Sequence, residues 1–548
     1  MSDRPALSAK WWAMPFPSVT KSTGPPVVAS RGMVATSNPL ACAAALQMLE
    51  AGGTAADAAV AADAVSGVVD SHLTGIGGDC AALVYPPAEK SYLGLNATGP
   101  APMGLDREMV LADGRQSMPA EGPLSVTVPG AVAGWAALLG RFGRLPLQDV
   151  LKPAIDHARR GFPVAPVTSA MWRNQVTKIR RHPTLARDIL TDGGPPGPAE
   201  LRHAPRLAET LSTLAVTGLD SFYCGPIGQA LCRTIERAGG ALKTTDLAAF
   251  KPEWVIPLSL WYDGCQVFEL PPNTQGATVL FALRLLQDYL DDHDSLPPWG
   301  SARYVALLAQ VISRALTIRD TSLADPASMT SSVQDLLADM RHAVDTVPDG
   351  LRSRIQAAAD PESHAGDTVY IAVTDETGMM VSFISSIFDH FGSGILDPET
   401  GILLQNRAAA FRLSPGHVQD LAPGRRPLHT IIPAAAELSG GQRISLGLTG
   451  ADMQPQGQLQ VLCNLVNFKM TLQEALDAPR IRISTGNRLA LEGQRLAALR
   501  GSAELDGWKT EPAGILEVGS GQLVLHDPDT GVMVGGTERR RDGCVAGR

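Results

Sequence analysis

The stretch that decides the fold is Gly366-Asp-Thr-Val-Tyr-Ile-Ala-Val-Thr374, followed by Asp375-Glu-Thr-Gly378 and the run from Met379 to Ile387. Thr368 to Thr374 is dense in β-branched residues, Asp375 to Gly378 carries turn chemistry, and Met379 to Ile387 is a second apolar run. The pattern predicts a hairpin whose first strand opens on a threonine. A threonine hydroxyl is a weak nucleophile unless a base stands beside it. Cutting the Asp367–Thr368 peptide bond would supply that base as a free α-amino group, whose ordinary pKa of about 7.7 to 8.0 lies close to working pH. Read alone, Thr368 is more simply a β-former that starts a strand.

Outward from the hairpin, the chain reads as alternating helices and strands. Gly32 to Thr36 is a strand. Asn38-Pro39 supplies an N-cap and an N1 proline for a helix to Glu50, closed by Gly52-Gly53. Thr54 and Asp57 form a capping box for a second helix to Val69. Thr74-Gly-Ile-Gly-Gly-Asp79 then turns into the strand Cys80 to Tyr85. That order, helix then glycines then strand, is the reverse of a dinucleotide-binding loop, so the glycines read as a tight turn between closely packed backbones. Leu124 to Ala131 reads as a strand leading into a helix through Trp135. From Leu145 to Asp360 the chain reads as a mostly helical elaboration, with a loop at Asp192 to Pro198 and strand-like runs near Trp254 to Leu270. Runs at Leu428 to Ala435, Ile444 to Leu448 and Leu523 to His526, with a helix at Leu472 to Leu476, complete an α/β class.

Composition narrows the function. The 548 residues are 45% hydrophobic and 18% charged, a globular balance with ample material for a core. The net charge of −9, from 46 Lys+Arg against 55 Asp+Glu, leaves no basic excess for phosphates, so no nucleic-acid partner is expected. The start, MSDRPALSAK, lacks the apolar core of a secretory signal. The uncharged window Gly122 to Gly140 holds Pro123, Pro129 and four glycines, which argues against a membrane span. A cytoplasmic protein with no membrane partner is expected. Seven scattered cysteines without a CxxC pair predict neither a disulfide framework nor a zinc site. GxSxG, GxxxxGK[ST] and HExxH are all missing, and no cofactor is expected.

Gly75-Ile-Gly-Gly-Asp-Cys80, Val126-Thr-Val-Pro-Gly-Ala131, Gly366-Asp-Thr368, Phe391-Gly-Ser-Gly394, Gly401-Ile-Leu-Leu-Gln-Asn406, Arg426-Pro-Leu428 and Ala475-Leu-Asp-Ala-Pro-Arg480 occur in the order seen in the γ-glutamyltransferase family. The chain resembles that family, and most of all its γ-glutamyltransferase-like branch carrying DMQPQ, here Asp452-Met-Gln-Pro-Gln456. The resemblance implies an N-terminal-nucleophile (Ntn) hydrolase with an αββα sandwich. The stretch 1–31 reads as an irregular, Pro-rich leader, and the resemblance implies a large piece over 32–367 and a small piece over 368–548, together one catalytic unit. Thr368 becomes both the autocleavage site, after Asp367, and the nucleophile of an acyl-enzyme.

By the same resemblance Ser386, eighteen residues beyond Thr368, matches a second threonine that supports the nucleophile, and Gly450-Ala451 matches a glycine pair whose amides form an oxyanion hole. Without the family, Ser386 is simply a polar strand residue and Gly450-Ala451 a turn. The chain departs from the family around the substrate. The arginine that would pair with a γ-glutamyl carboxylate falls at about Thr98, the asparagine and acid that hold the amino-acid head match Phe388 and Ala410, and the paired serines match His429-Thr430. Arg407, beside Asn406, stands where the family has glutamine. A guanidinium fork beside Ala408, Ala409 and Ala410 suits a carboxylate and offers nothing to an ammonium, unless Arg407 is only a structural ion pair. The expected substrate is therefore a small amide bearing a carboxylate but no α-amino group, such as a dicarboxylic monoamide or an oxamate-like acid amide. The alternatives are true γ-glutamyl transfer or glutathione hydrolysis, or a catalytically dead scaffold. Water against amine as acceptor, and a homo-oligomer against a monomer, stay open.

Overall fold

The computed structural model describes residues 26–112, 114–191, 194–340 and 368–548. Its centre is the expected hairpin, Val369–Asp375 paired antiparallel with Met380–Ser386, Tyr370 facing Ile384. The turn is held by Asp375, whose Oδ1 accepts the Thr377 and Met379 N–H groups at 2.9 and 3.2 Å, and by Gly378 at φ 81°. Asp375 Oδ2 accepts the N–H of Ala55, first residue of the helix Ala55–Val69, which anchors that helix to the hairpin.

Two seven-stranded antiparallel sheets follow. The first runs, in spatial order, Cys544–Gly547, Gly32–Thr36, Val369–Asp375, Met380–Ser386, Asp79–Tyr85, Leu93–Ala97 and Glu253–Val255. The second runs Val27–Ala29, Met533–Thr537, Gly521–His526, Arg443–Leu448, Ala434–Leu438, Cys265–Glu269 and Leu258–Tyr262. Period-two alternation sorts the hairpin's side chains between layers. Val369, Ile371 and Val373 pack outward with Val34, Val84 and the helices Pro39–Glu50 and Ala55–Val69. Tyr370 and Ala372 pack inward with Met33, Leu83, Ala435 and Val524, joining the two sheets. Gly447 makes room for this contact, since a Cβ there would lie 2.2 Å from the Tyr370 ring. The helices Ala277–Asp292, Ala302–Ser322 and Met453–Val466 cover the outer face of the second sheet over Val267, Leu446 and Leu525. The result is an αββα sandwich, and burial on both faces explains why its central strands read as continuous apolar runs.

The helical middle divides in two. Helices between Leu147 and Arg237 pack around the first layer, whereas those between Ala277 and Ser322 form the second outer layer. Between them, the Trp254 to Leu270 region supplies edge strands to both sheets. Three expectations need correction. Leu124 to Pro129 is not a strand: Pro123–Ser125 is a 3-10 turn and the segment crosses to the helix Ala131–Phe142 with Val128 N–H donating to the Pro100 carbonyl, Pro129 having no N–H to give a ladder. The strand expected from Leu428 begins only at Ala434, after Pro433. The leader is not wholly irregular, because Val27–Ala29 pairs with Met533–Gly535. Asp192, the stretch 341–360 of the helical reading, and Asp367 lie outside the described residues. Among those described, no helix is long and apolar enough to cross a membrane.

Candidate active site

The hairpin register that pairs Val369 with Ser385 places Thr368 opposite Ser386. Both share the face of Tyr370 and Ile384, towards the space between the sheets. Thr368 is 2% exposed. Its Oγ1 donates to Ser386 Oγ at 3.4 Å and accepts from Gln454 Nε2 at 3.3 Å. Ser386 Oγ in turn accepts the Phe388 N–H at 2.8 Å, and Gln454 Oε1 accepts the Ile432 N–H at 3.1 Å, which fixes the orientation of that amide. On the outward face, Ser385 Oγ donates to Asp63 and meets Thr74 Oγ1 at 2.5 Å. Burial pushes the Asp63 carboxyl up to about 6 against the pull of Ser385 and of Trp135, whose Nε1 donates at 2.8 Å.

Gly450 and Ala451 link the strand Arg443–Leu448 to the helix Met453–Val466 with φ of 102° and 50°. Their carbonyls accept from Met453 N and Gln454 N at 2.9 and 3.0 Å. The helix N-terminus that follows them carries partial positive charge, and its Gln454 touches Thr368. Gln275 fastens the turn: its Nε2 bridges the Thr430 and Ala451 carbonyls at 2.9 and 3.1 Å, and its Oε1 accepts from Arg319 Nη1 at 2.8 Å. Arg319 also donates to Asp452 Oδ1 at 2.7 Å.

Arg407 is fully buried in the 3-10 turn Arg407–Ala410. Its guanidinium carbon lies 4.0 Å from the centre of the Phe388 ring, and its Nη1 donates to Thr430 Oγ1 at 2.9 Å. Its Nε and Nη2 are buried and have no hydrogen-bond partner in the protein. Burial pushes this guanidinium down to about 9, with Asp79 and Asp389 opposing the shift. Phe388 adopts φ 77°, which carries the chain off the hairpin as its ring meets the arginine. Through Phe388, whose N–H meets Ser386, the arginine is linked to Thr368.

His429 and Asp79 lie fully buried beside this group. His429 Nδ1 accepts the Ile431 N–H at 3.3 Å, which leaves the proton on Nε2 to face Asp79 Oδ2 at 3.0 Å. Burial and the Arg407 charge push His429 down, so it is neutral. Asp79 Oδ1 accepts the Gly99 and Gly130 N–H groups at 3.1 and 2.9 Å. Burial nevertheless pushes its carboxyl up to about 7, the Arg407 charge being the largest force the other way. Two of the anticipated contacts are occupied elsewhere. Thr98 Oγ1 donates to Asn96 Oδ1 at 2.7 Å, and Asn406 is engaged with Ala120 and Asp389. Reasoning from sequence missed Gln454, Gln275, Arg319 and Asp79. Gln454 was signalled by the DMQPQ run and Asp79 by its place after the glycines, whereas Gln275 and Arg319 carry no local signal.

The αββα sandwich is that of an Ntn hydrolase, and residues 41–548 match the model of one such family, described as gamma-glutamyltranspeptidase. The chain belongs to the gamma-glutamyltranspeptidase family. It is 34% identical to the oxamate amidohydrolase proenzyme of Klebsiella pneumoniae, over 95% of this chain and 99% of that one. It is 33% identical to the glutathione hydrolase-like YwrD proenzyme of Bacillus subtilis, over 95% and 99% respectively. The crystal structure of a cephalosporin acylase from Bacillus halodurans superposes with a TM-score of 0.87 at 35% identity, covering 98% of each chain. As a member of this gamma-glutamyltranspeptidase family, the chain is an Ntn-hydrolase enzyme of the amidohydrolase and acyltransferase kind, made as a precursor.

Proposed function

We propose that the precursor cuts itself between Asp367 and Thr368 and that the new N-terminal Thr368 hydrolyses, or transfers the acyl group of, a small amide whose free carboxylate is held by Arg407. The observation that carries the substrate reading is the fully buried guanidinium whose Nε and Nη2 N–H groups have no partner. Buried donors left unmet are costly, and a substrate carboxylate would meet both N–H groups at once. A γ-glutamyl head also needs an anion for its ammonium. Phe388 and Ala410 provide none, and Asp79 is already engaged by His429 and two backbone N–H groups.

In this mechanism the Thr368 α-amino group accepts the Oγ proton as Oγ attacks the amide carbonyl. Ser386 orients the hydroxyl, and the amides of Gly450 and Ala451 stabilise the oxyanion. Collapse expels the amine, which takes a proton back from the ammonium, and leaves an ester on Thr368. Water, or an amine acceptor, resolves that ester by the same proton path. The large piece thus ends at Asp367 and the small piece begins at Thr368, the two remaining joined by the sheet around the hairpin. The test is electrophoresis with intact mass on purified protein, followed by an amide panel. Two bands beginning at Met1 and Thr368, with faster turnover of oxamate, succinamate or glutaric monoamide than of γ-glutamyl-p-nitroanilide, are expected. Faster turnover of the γ-glutamyl substrate would return the family's usual specificity to this site.

A further inference from the structure

A cavity of about 330 Å³ lies away from the face on which Thr368 and Ser386 stand. It opens between the Ser71–Ile76 segment, the helix Pro166–Asn174 and the start of the helix Pro205–Thr217. Thr74, on its wall, bonds the outward-facing Ser385 rather than Ser386. Its volume is roughly twice the ~150 Å³ cavity that takes up benzene. Most of the wall is apolar, with Val68, Ile76, Phe162, Trp172, Leu185 and Ile189.

Three polar features converge on this apolar wall. Trp172 is 1% exposed, and its buried Nε1–H has no hydrogen-bond partner. A buried donor left unmet costs stability and is satisfied by an acceptor brought from outside. The thirteen-residue helix Pro205–Thr217 presents its N-terminus to the cavity with no side-chain cap, and such ends favour anions. Arg202 and Arg206 also line it: Arg206 is paired with the Asp188 carboxylate, while Arg202 donates to the Asp188 carbonyl. The Asp188 and Glu200 carboxylates both act on Arg202, whose hydrogen bond nevertheless goes to a carbonyl rather than to a carboxylate.

We infer that this cavity is a second ligand site, separate from the hydrolytic centre, for a small amphipathic monocarboxylate whose apolar body fills the pocket and whose carboxylate meets Arg202 and the uncapped helix end. An apolar body displaces water from the aliphatic wall, and the acid supplies acceptors for groups the protein leaves unmet.

Isothermal titration of the processed enzyme with 3-phenylpropionate tests this, with neutral 3-phenylpropanamide as the matched control. One site per chain is expected, with the amide about tenfold weaker or worse, the size of effect that follows from losing a charged hydrogen bond. Binding should persist in Arg407→Gln, weaken about tenfold or more in Arg202→Gln, and vanish in Ile189→Trp, which fills the cavity. Retained amide hydrolysis in the last two variants reports an intact fold. Should Ile189→Trp not fold, the half-buried Arg202→Gln decides the matter. No binding at millimolar acid would overturn the inference. So would binding that is lost in Arg407→Gln and unchanged in the cavity variants, because the acid would then occupy the hydrolytic centre.

Discussion

Thr368 and Ser386 stand at facing positions of one hairpin in a regular sheet, whereas Arg407, Phe388 and Thr430 come from three separate stretches of irregular chain. The first pair is placed by register: once the turn at Asp375 is set, eighteen residues of separation make the two hydroxyls neighbours. The second group is placed by long-range contacts, such as the Gln275 side chain that ties the Thr430 loop to the Ala451 turn. On the proposed reading, the bond-making chemistry rests on the part of the molecule that a point change can least displace, and substrate choice on loops, where residues can be exchanged without disturbing the sandwich.

The sharpest way to break this contrast is Thr368→Ala. It should abolish both processing and turnover, leaving one intact band on a denaturing gel. Residual cleavage at the same bond would remove the nucleophile from the hairpin. Next in size is Ser386→Ala. Its hydroxyl only orients Thr368, so the enzyme should still be processed, with kcat lowered about tenfold, the value of one neutral hydrogen bond. Unchanged kcat would show that facing Thr368 confers no role.

The smallest effect is a divergence with pH between kcat and KM. The α-amino group of Thr368 must be deprotonated to act as base, so kcat should rise through its range of about 7.7 to 8.0. A substrate carboxylate at Arg407 disfavours charge on Asp79, whose carboxyl lies at about 7, so the anion binds best below that pH with Asp79 protonated. KM for an acid amide should therefore climb above pH 7, and further towards pH 9 as Arg407 loses its proton. His429, held neutral, contributes no change. An uncharged amide should show the rise in kcat with a flat KM. Identical KM profiles for the two substrates would detach Asp79 and Arg407 from binding.

The legibility of these features follows the same division. The β-branched run at Thr368 to Thr374 and the caps at Asn38 and Thr54 were readable because they depend on neighbours in sequence. The helix Met453–Val466 escaped the periodicity argument because every one of its residues is buried, including four glutamines that serve as partners for chain on either side. Buried on all sides, it has no polar face to mark a period. Leu124 to Pro129 looked like a strand because Leu124, Val126 and Val128 alternate with Ser125 and Thr127, yet it is buried by packing rather than by pairing. Arg407 stood out in the sequence by its exchange for glutamine. Its stacking on Phe388 and the unmet donors became visible only once both loops were in place.

The central claim is that Arg407 reads a substrate carboxylate, and steady-state kinetics of Arg407→Gln on a matched pair, an acid amide and its methyl ester, test it most directly. The account predicts that KM for the acid amide rises by about ten- to a hundredfold, in line with the roughly 1.5 to 3 kcal/mol of a charged hydrogen bond, while the ester is barely affected. An equal loss on both substrates would contradict it and make Arg407 a residue that holds the fold rather than the substrate.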